Sequence, residues 1–184
     1  MDRRNLDLPL IVNLWSRSEL FRVAPLGALL VLALSACGEA IENAPVVRGA
    51  ELCQNEFETC VMPILSSVIK RRQGDFRACT DSACHVSGGN GGRFTLSFTD
   101  MNTNVTAIMD NFVNFTFVDQ SPLLAKPTAG DTAFHGGDDI FPSSSDQCYV
   151  AIRSWLAKQV PTRTDASCGI CTSVANPTAS CGFP

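Results

Sequence analysis

Nine cysteines in 184 residues, at positions 37, 53, 60, 79, 84, 148, 168, 171 and 181, restrict this chain more than any other feature. Thiols in such numbers pair into disulfides in an oxidising compartment and stay free for metals or catalysis in a reducing one. The compartment must therefore be read before the cysteines can be. One stretch stands apart: CTDSACH, residues 79–85, sets two cysteines five positions apart and a histidine directly after the second. The chain has only one other histidine, His135. On residue types alone, Cys79, Cys84 and His85 suit a covalent attachment site, a disulfide beside a bystander histidine, or half of a metal site.

The compartment is written upstream. Residues 23–36, VAPLGALLVLALSA, form an uncharged run preceded by Arg17 and Arg22. A basic segment followed by an apolar run too short to span a bilayer is the pattern of an export leader. The run ends in Leu34-Ser35-Ala36-Cys37, with Gly38 next. This closely resembles the lipobox of bacterial lipoproteins. The resemblance implies a diacylglyceryl group on the Cys37 thiol, and cleavage that leaves Cys37 as the first mature residue. The expected division is a signal peptide over 1–36 and a tether over 37–48. The 22 residues ahead of the run exceed what such a leader needs, so translation is expected to start downstream of Met1. An exported chain meets an oxidising envelope. With Cys37 lipidated, eight cysteines remain, enough for four disulfides or for three beside an occupied Cys79 and Cys84. Parity fits both.

From Cys37 onward the chain has 148 residues, enough for one domain with its own core but hardly two. Four of the 14 basic and three of the 18 acidic residues precede Cys37, leaving 10 against 15 and a net charge of −5. That balance disfavours nucleic acid and any polybasic grip on anionic lipid, so membrane attachment would rest on the acyl chains.

Within 49–72, Leu52, Phe57, Cys60 and Val61, then Ile64, Leu65, Val68 and Ile69, recur at helical spacing. Pro63 predicts a break near Met62 and a restart with proline in the first turn. VSGGNGG (86–92) reads as a flexible loop, RFTLSF (93–98) as a short strand, and 102–115 as a helix with Val105, Ile108, Met109 and Phe112 inward. SPLLAKP is a helical turn bracketed by Pro122 and Pro127. A last helix follows, with Ser144 and Gln147 as a capping box and Tyr149, Ile152, Trp155 and Leu156 as its apolar stripe, ending near Gln159. The tail over 161–184 has no periodicity and three cysteines, so disulfides to the body must hold it.

The ordinary covalent haem motif is C-x-x-C-H, in which two thiols add to the vinyl groups of one porphyrin and the histidine sits under the iron. Here four residues separate the cysteines, a departure in which the longer gap bulges while His85 keeps its place after Cys84. VMPIL, CTDSACH, the Gly-Gly loop, SPLLAKP, HGG and CYVAIRSWL together resemble the cytochrome c-like domains of bacterial envelope lipoproteins, over roughly residues 50–160. The resemblance implies a mainly α fold: a small cytochrome c-like helical domain (49–160) around one haem, with long loops and a disulfide-bonded C-terminal tail. It also implies first and last helices packed across each other. Cys79 and Cys84 would hold one covalent haem c, with His85 as proximal ligand. A second axial ligand would come from the segment before the last helix. That segment, FHGGDDIF (134–141), has no methionine and offers His135. Met101 and Met109 compete for the place, although helix packing suits them better, and Met62 fits a buried position.

The remaining constellations point to structure. Cys168 and Cys171 form C-x-x-C, but no histidine follows and no βαβ context surrounds them. Cys53 and Cys60, about two helical turns or roughly 10 Å apart, must bond elsewhere, to Cys148 or to the tail's Cys168, Cys171 and Cys181. Asp138 and Asp139 lack the further oxygens a calcium site requires. The expected function is a lipid-anchored electron carrier of the bacterial envelope, not an enzyme, with redox proteins and the membrane as partners. The alternative is a cofactor-free, disulfide-rich lipoprotein that binds or braces. A weaker one keeps the haem but frees its sixth position for peroxidase or sensing chemistry.

Overall fold

A computed structural model describes residues 50–184 except 131–134, 166–167 and 170. The leader, Cys37 and the tether lie outside the described residues.

The first helical stretch runs in three pieces, α1 (Gln54–Glu56), a π-turn (Phe57–Val61) and α2 (Met62–Ser66). Pro63 has no N–H to donate to the preceding turn, so the ladder widens ahead of it and the α-helix resumes with proline in its first turn. Short strands flank this stretch. β1 (Glu51–Leu52) pairs antiparallel with β4 (Gln159–Val160), and β2 (Ile69–Lys70) with β3 (Phe76–Arg77). None of these pairings was expected from the sequence, because two-residue strands carry no periodicity.

The helix α3 (Met101–Asn111) starts at Asp100, whose carboxylate accepts from Thr103 N at 2.9 Å. The expected strand at 93–98 does not form. Phe94 and Leu96 are buried, as the alternation predicts, yet Ser97 finds its partners on a side chain. Asn104, fully buried, accepts from Ser97 N and donates to Ser97 O, both at 2.7 Å. One amide thus replaces a neighbouring strand.

A 3-10 turn (Val118–Gln120) leads into α4 (Pro122–Ala125), and α5 (Gln147–Ala157) is the last long helix. Its cap differs from the expected Ser144 box. Asp146 caps it, accepting from Cys148 N at 2.9 Å and Tyr149 N at 3.2 Å. A carboxylate also answers the positive end of the helix, which a hydroxyl cannot. Where α5 packs on the π-turn, the Phe57 and Trp155 rings lie 5.3 Å apart, and Trp155 Nε1 donates to Cys53 O at 2.9 Å. Leu52, Val61, Ile64, Ile108, Leu124 and Ile152 complete the buried core around this contact.

The tail is pinned three times. Cys53 pairs with Cys168, Cys60 with Cys171 and Cys148 with Cys181, at Cα separations of 5.5, 6.3 and 5.7 Å, all within disulfide reach. Between the pins it forms α6 (Pro177–Ser180), a turn capped by Asn176 that no periodicity announced. Asp146 reinforces the last pin by accepting from Gly182 N at 2.9 Å.

Candidate functional site

The CTDSACH segment leaves α2 and β3 as a closed loop. Thr80 N donates to Leu65 O at 3.2 Å, Cys84 N to Asp81 O at 2.8 Å, and His85 N returns to Cys79 O at 2.9 Å. The four residues between the cysteines bulge, while Cys79 and His85 are joined at the base. The glycine loop that follows is folded onto the motif instead of standing free. Asn90 N donates to Ala83 O at 3.0 Å and Gly91 N to Cys84 O at 2.9 Å. A Cβ on Gly89 would strike the Cys84 carbonyl, and one on Gly91 would strike the His85 ring. These two glycines are there for close approach.

His85 is held on the far side. Its Nδ1 lies 2.9 Å from Phe94 O, its ring 4.8 Å from the Phe94 ring, and Phe94 in turn 4.8 Å from Phe112. A carbonyl only accepts, so Nδ1 carries the proton and Nε2 is left with a free lone pair. His135 repeats the arrangement. Its Nδ1 lies 2.7 Å from Asp138 O across a tight turn in which Asp138 adopts φ +68°. The two imidazole rings are 6.0 Å apart between centroids, with planes within 6° of parallel.

Both rings line one cavity of about 540 Å³, within the range of cofactor pockets. Cys79 and Cys84 line it too, and they are the described cysteines outside the three disulfides. Leu65, Phe94, Phe112, Leu123, Ile140, Phe141 and Ile152 supply an apolar wall, Arg71, Arg77 and Lys126 three cations. Burial pushes the Cys79 thiol up to about 12, and neighbouring Cys84 acts in the same direction. Burial also lowers the pKa of His85, which keeps its imidazole neutral.

No protein-family model matches the chain, and neither a curated protein nor a solved structure matches it. The site is therefore judged on its donors.

A closed zinc site does not fit them. Among the described residues only Asp146, Cys148 and Cys181 bring three ligand atoms within 4.8 Å of one another, and there the two sulfurs are bonded to each other. The sulfurs of Cys79 and Cys84 do not converge with the two imidazoles as a tetrahedron requires. The 6.0 Å separation of the two ring centroids is close to what one ion held by both imidazoles would give. Two metal–nitrogen bonds of about 2 Å, with each ring centre roughly 1 Å beyond its nitrogen, put the centroids about 6 Å apart. The same cavity takes in Cys79, Cys84 and an apolar wall, a lining that suits a broad planar group carrying the ion.

Among the described residues no methionine lines the cavity. Met62 is buried in the core; Met101 and Met109 pack along α3, with Met101 Sδ 3.7 Å from Asn104 Nδ2 and Met109 Sδ 3.8 Å from Arg163 Nη2. Asp138 and Asp139 act as anchors. Asp138 accepts from Gln73 N at 2.9 Å, and Asp139 pairs with Arg72 at 3.1 Å. Sequence reasoning missed the cations Arg71, Arg77 and Lys126, which no motif groups together.

Proposed function

We propose that the protein is a lipid-anchored monohaem c-type cytochrome that carries electrons in the bacterial cell envelope. One observation carries the reading: the chain's two histidines and the two described cysteines left out of disulfides line the same cavity. In this proposal Cys79 and Cys84 hold one haem c through thioethers, His85 is the proximal ligand and His135 the distal one. When bound, the haem supplies the reversible one-electron chemistry of its iron.

The chain's own groups do the remainder. The Nδ1–H bonds to Phe94 O and Asp138 O fix the tautomer and raise the basicity of each Nε2. Phe94, Phe112 and Ile152 would exclude water, and Arg77 and Lys126 would answer the carboxylates of the porphyrin's edge. With both imidazoles on the iron no position would be left for substrate, which favours a carrier over an enzyme. Imidazole in place of a thioether sets the potential lower than in methionine–histidine cytochromes. A small, mainly α, cytochrome c-like fold is supported by the contact of the first and last helical stretches at Phe57 and Trp155. The partners proposed are redox proteins of the envelope, with the membrane reached through lipid on Cys37.

The test is attachment. Protein made in a host with haem-attachment machinery should keep its colour through acid–acetone extraction, and the Cys79→Ala, Cys84→Ala double variant should lose it. Equal behaviour of the two would end the haem reading.

A further inference from the structure

Among the described residues, the turn that carries His135 is fastened by the segment after β2, where Arg71, Arg72 and Gln73 bond to residues 137–139. Arg71 donates through Nη1 to Gly137 O, two residues beyond His135. The same guanidinium is gripped at its other edge by Asp75, with Nε to Oδ1 at 2.9 Å and Nη2 to Oδ2 at 2.6 Å. Planar, two-point pairing of this kind sets the direction of a guanidinium as well as its charge. The Arg71 side chain is only 15% exposed and lines the cavity, whereas Asp75 faces solvent. Backbone bonds flank the contact: Arg72 N donates to Asp139 O at 3.0 Å, and Arg71 N to Asp75 O at 2.8 Å. Gly137 itself lies against the His135 ring, where a Cβ would come within 3.1 Å of Cε1. Whatever holds the Gly137 peptide thus holds the imidazole.

We infer that Arg71, aimed by Asp75, is a positioning residue that latches the His135 turn over the cavity and keeps the distal imidazole from swinging away. This rests on the reading of His135 as a ligand. The latch explains how a ligand on a glycine-rich turn, with no helix or strand beneath it, keeps one place. A lysine could reach the carbonyl but could not keep the paired contact with Asp75.

The test uses haem-loaded protein, comparing wild type with Arg71→Met, Arg71→Lys, Asp75→Asn and His135→Ala. Carbon monoxide binding to the ferrous form and spin state of the ferric form report whether the sixth position opens. Hydrogen exchange of the amides over 136–139 reports the turn itself. Losing a hydrogen bond from a charged donor moves an equilibrium roughly 10- to 100-fold. Arg71→Met should therefore speed carbon monoxide binding and turn exchange by at least tenfold, with Arg71→Lys and Asp75→Asn in between. If Arg71→Met does not load haem, Asp75→Asn, at a solvent-facing site, carries the test. Carbon monoxide binding and exchange as slow as wild type in the loaded variants would overturn the latch. If His135→Ala opens while they stay closed, the latch alone fails; if His135→Ala also stays closed, the ligand reading fails with it.

Discussion

His85 and His135 face one cavity with their rings 6.0 Å apart and nearly parallel, and each spends its Nδ1 proton on a backbone carbonyl of its own neighbourhood. Neither ring depends on the other for that bond. Both Nε2 lone pairs are therefore presented by independent supports, one built on the Phe94 segment and one on the Asp138 turn. In the proposed function such a pair would act as a preset ligand couple, with consequences for pH, for thiol reactivity and for spectra.

The first consequence is a pH dependence of the haem-free protein. Burial lowers the pKa of His85 from its ordinary 6.5. The unfolded chain then binds a proton that the folded chain refuses, so stability falls as pH drops below about 6.5 and is recovered above it. The carboxyls of Asp75, Asp100 and Asp119 are also lowered, but from 3.8, and matter only in stronger acid. Urea midpoints measured between pH 5 and 7.5 should rise with pH, and His85→Gln should flatten that slope. An equal slope in the variant would assign the effect elsewhere.

The two free thiols should differ. With its pKa pushed to about 12 from 9.0, Cys79 carries about a thousandfold less thiolate at pH 8 than an ordinary cysteine. Iodoacetamide added to reduced, folded, haem-free protein should label Cys84 well before Cys79, and urea should erase the difference. The same raised pKa means the fold loses stability as pH climbs past about 9, where the unfolded chain gives up its proton first.

How far the sequence went can be judged residue by residue. The helix that became α5 was legible because Tyr149, Ile152, Trp155 and Leu156 repeat at helical spacing, and the break at Pro63 because proline lacks a donor. The meeting of CTDSACH with His135 was legible for a different reason, since two histidines leave few ways to pair. What escaped carried no periodicity. Asn104 stands in for a strand beside Ser97 through one side-chain amide, which no alternation announces, and Arg71 reaches Gly137 across a separation no window spans. The disulfide partners escaped as well, because several cysteines of one tail could each have reached Cys53 or Cys60.

The tail should behave as a strapped appendage. Replacing Cys148 and Cys181 together by alanine removes the bond that closes a 33-residue separation and should lower stability by about 2–5 kcal/mol in urea unfolding. Limited proteolysis should then cut within 172–184 first. Unchanged stability would mean that Asp146 and its bond to Gly182 N hold the tail without help.

The proposed lipid anchor can be tested apart from the fold. Cys37→Ser should move the protein from the membrane to the soluble fraction with its absorption spectrum unchanged. Absence of fatty-acid labelling in the wild type would remove the anchor from the account without touching the cavity.

The claim that His85 and His135 clamp one haem iron is tested most directly by near-infrared magnetic circular dichroism of the purified ferric protein. The charge-transfer band of a low-spin ferric haem takes different positions for paired imidazoles and for imidazole with methionine. The account predicts the paired-imidazole position in the wild type and its loss in His135→Ala. A methionine–histidine band, a high-spin spectrum or a colourless wild-type protein would contradict it.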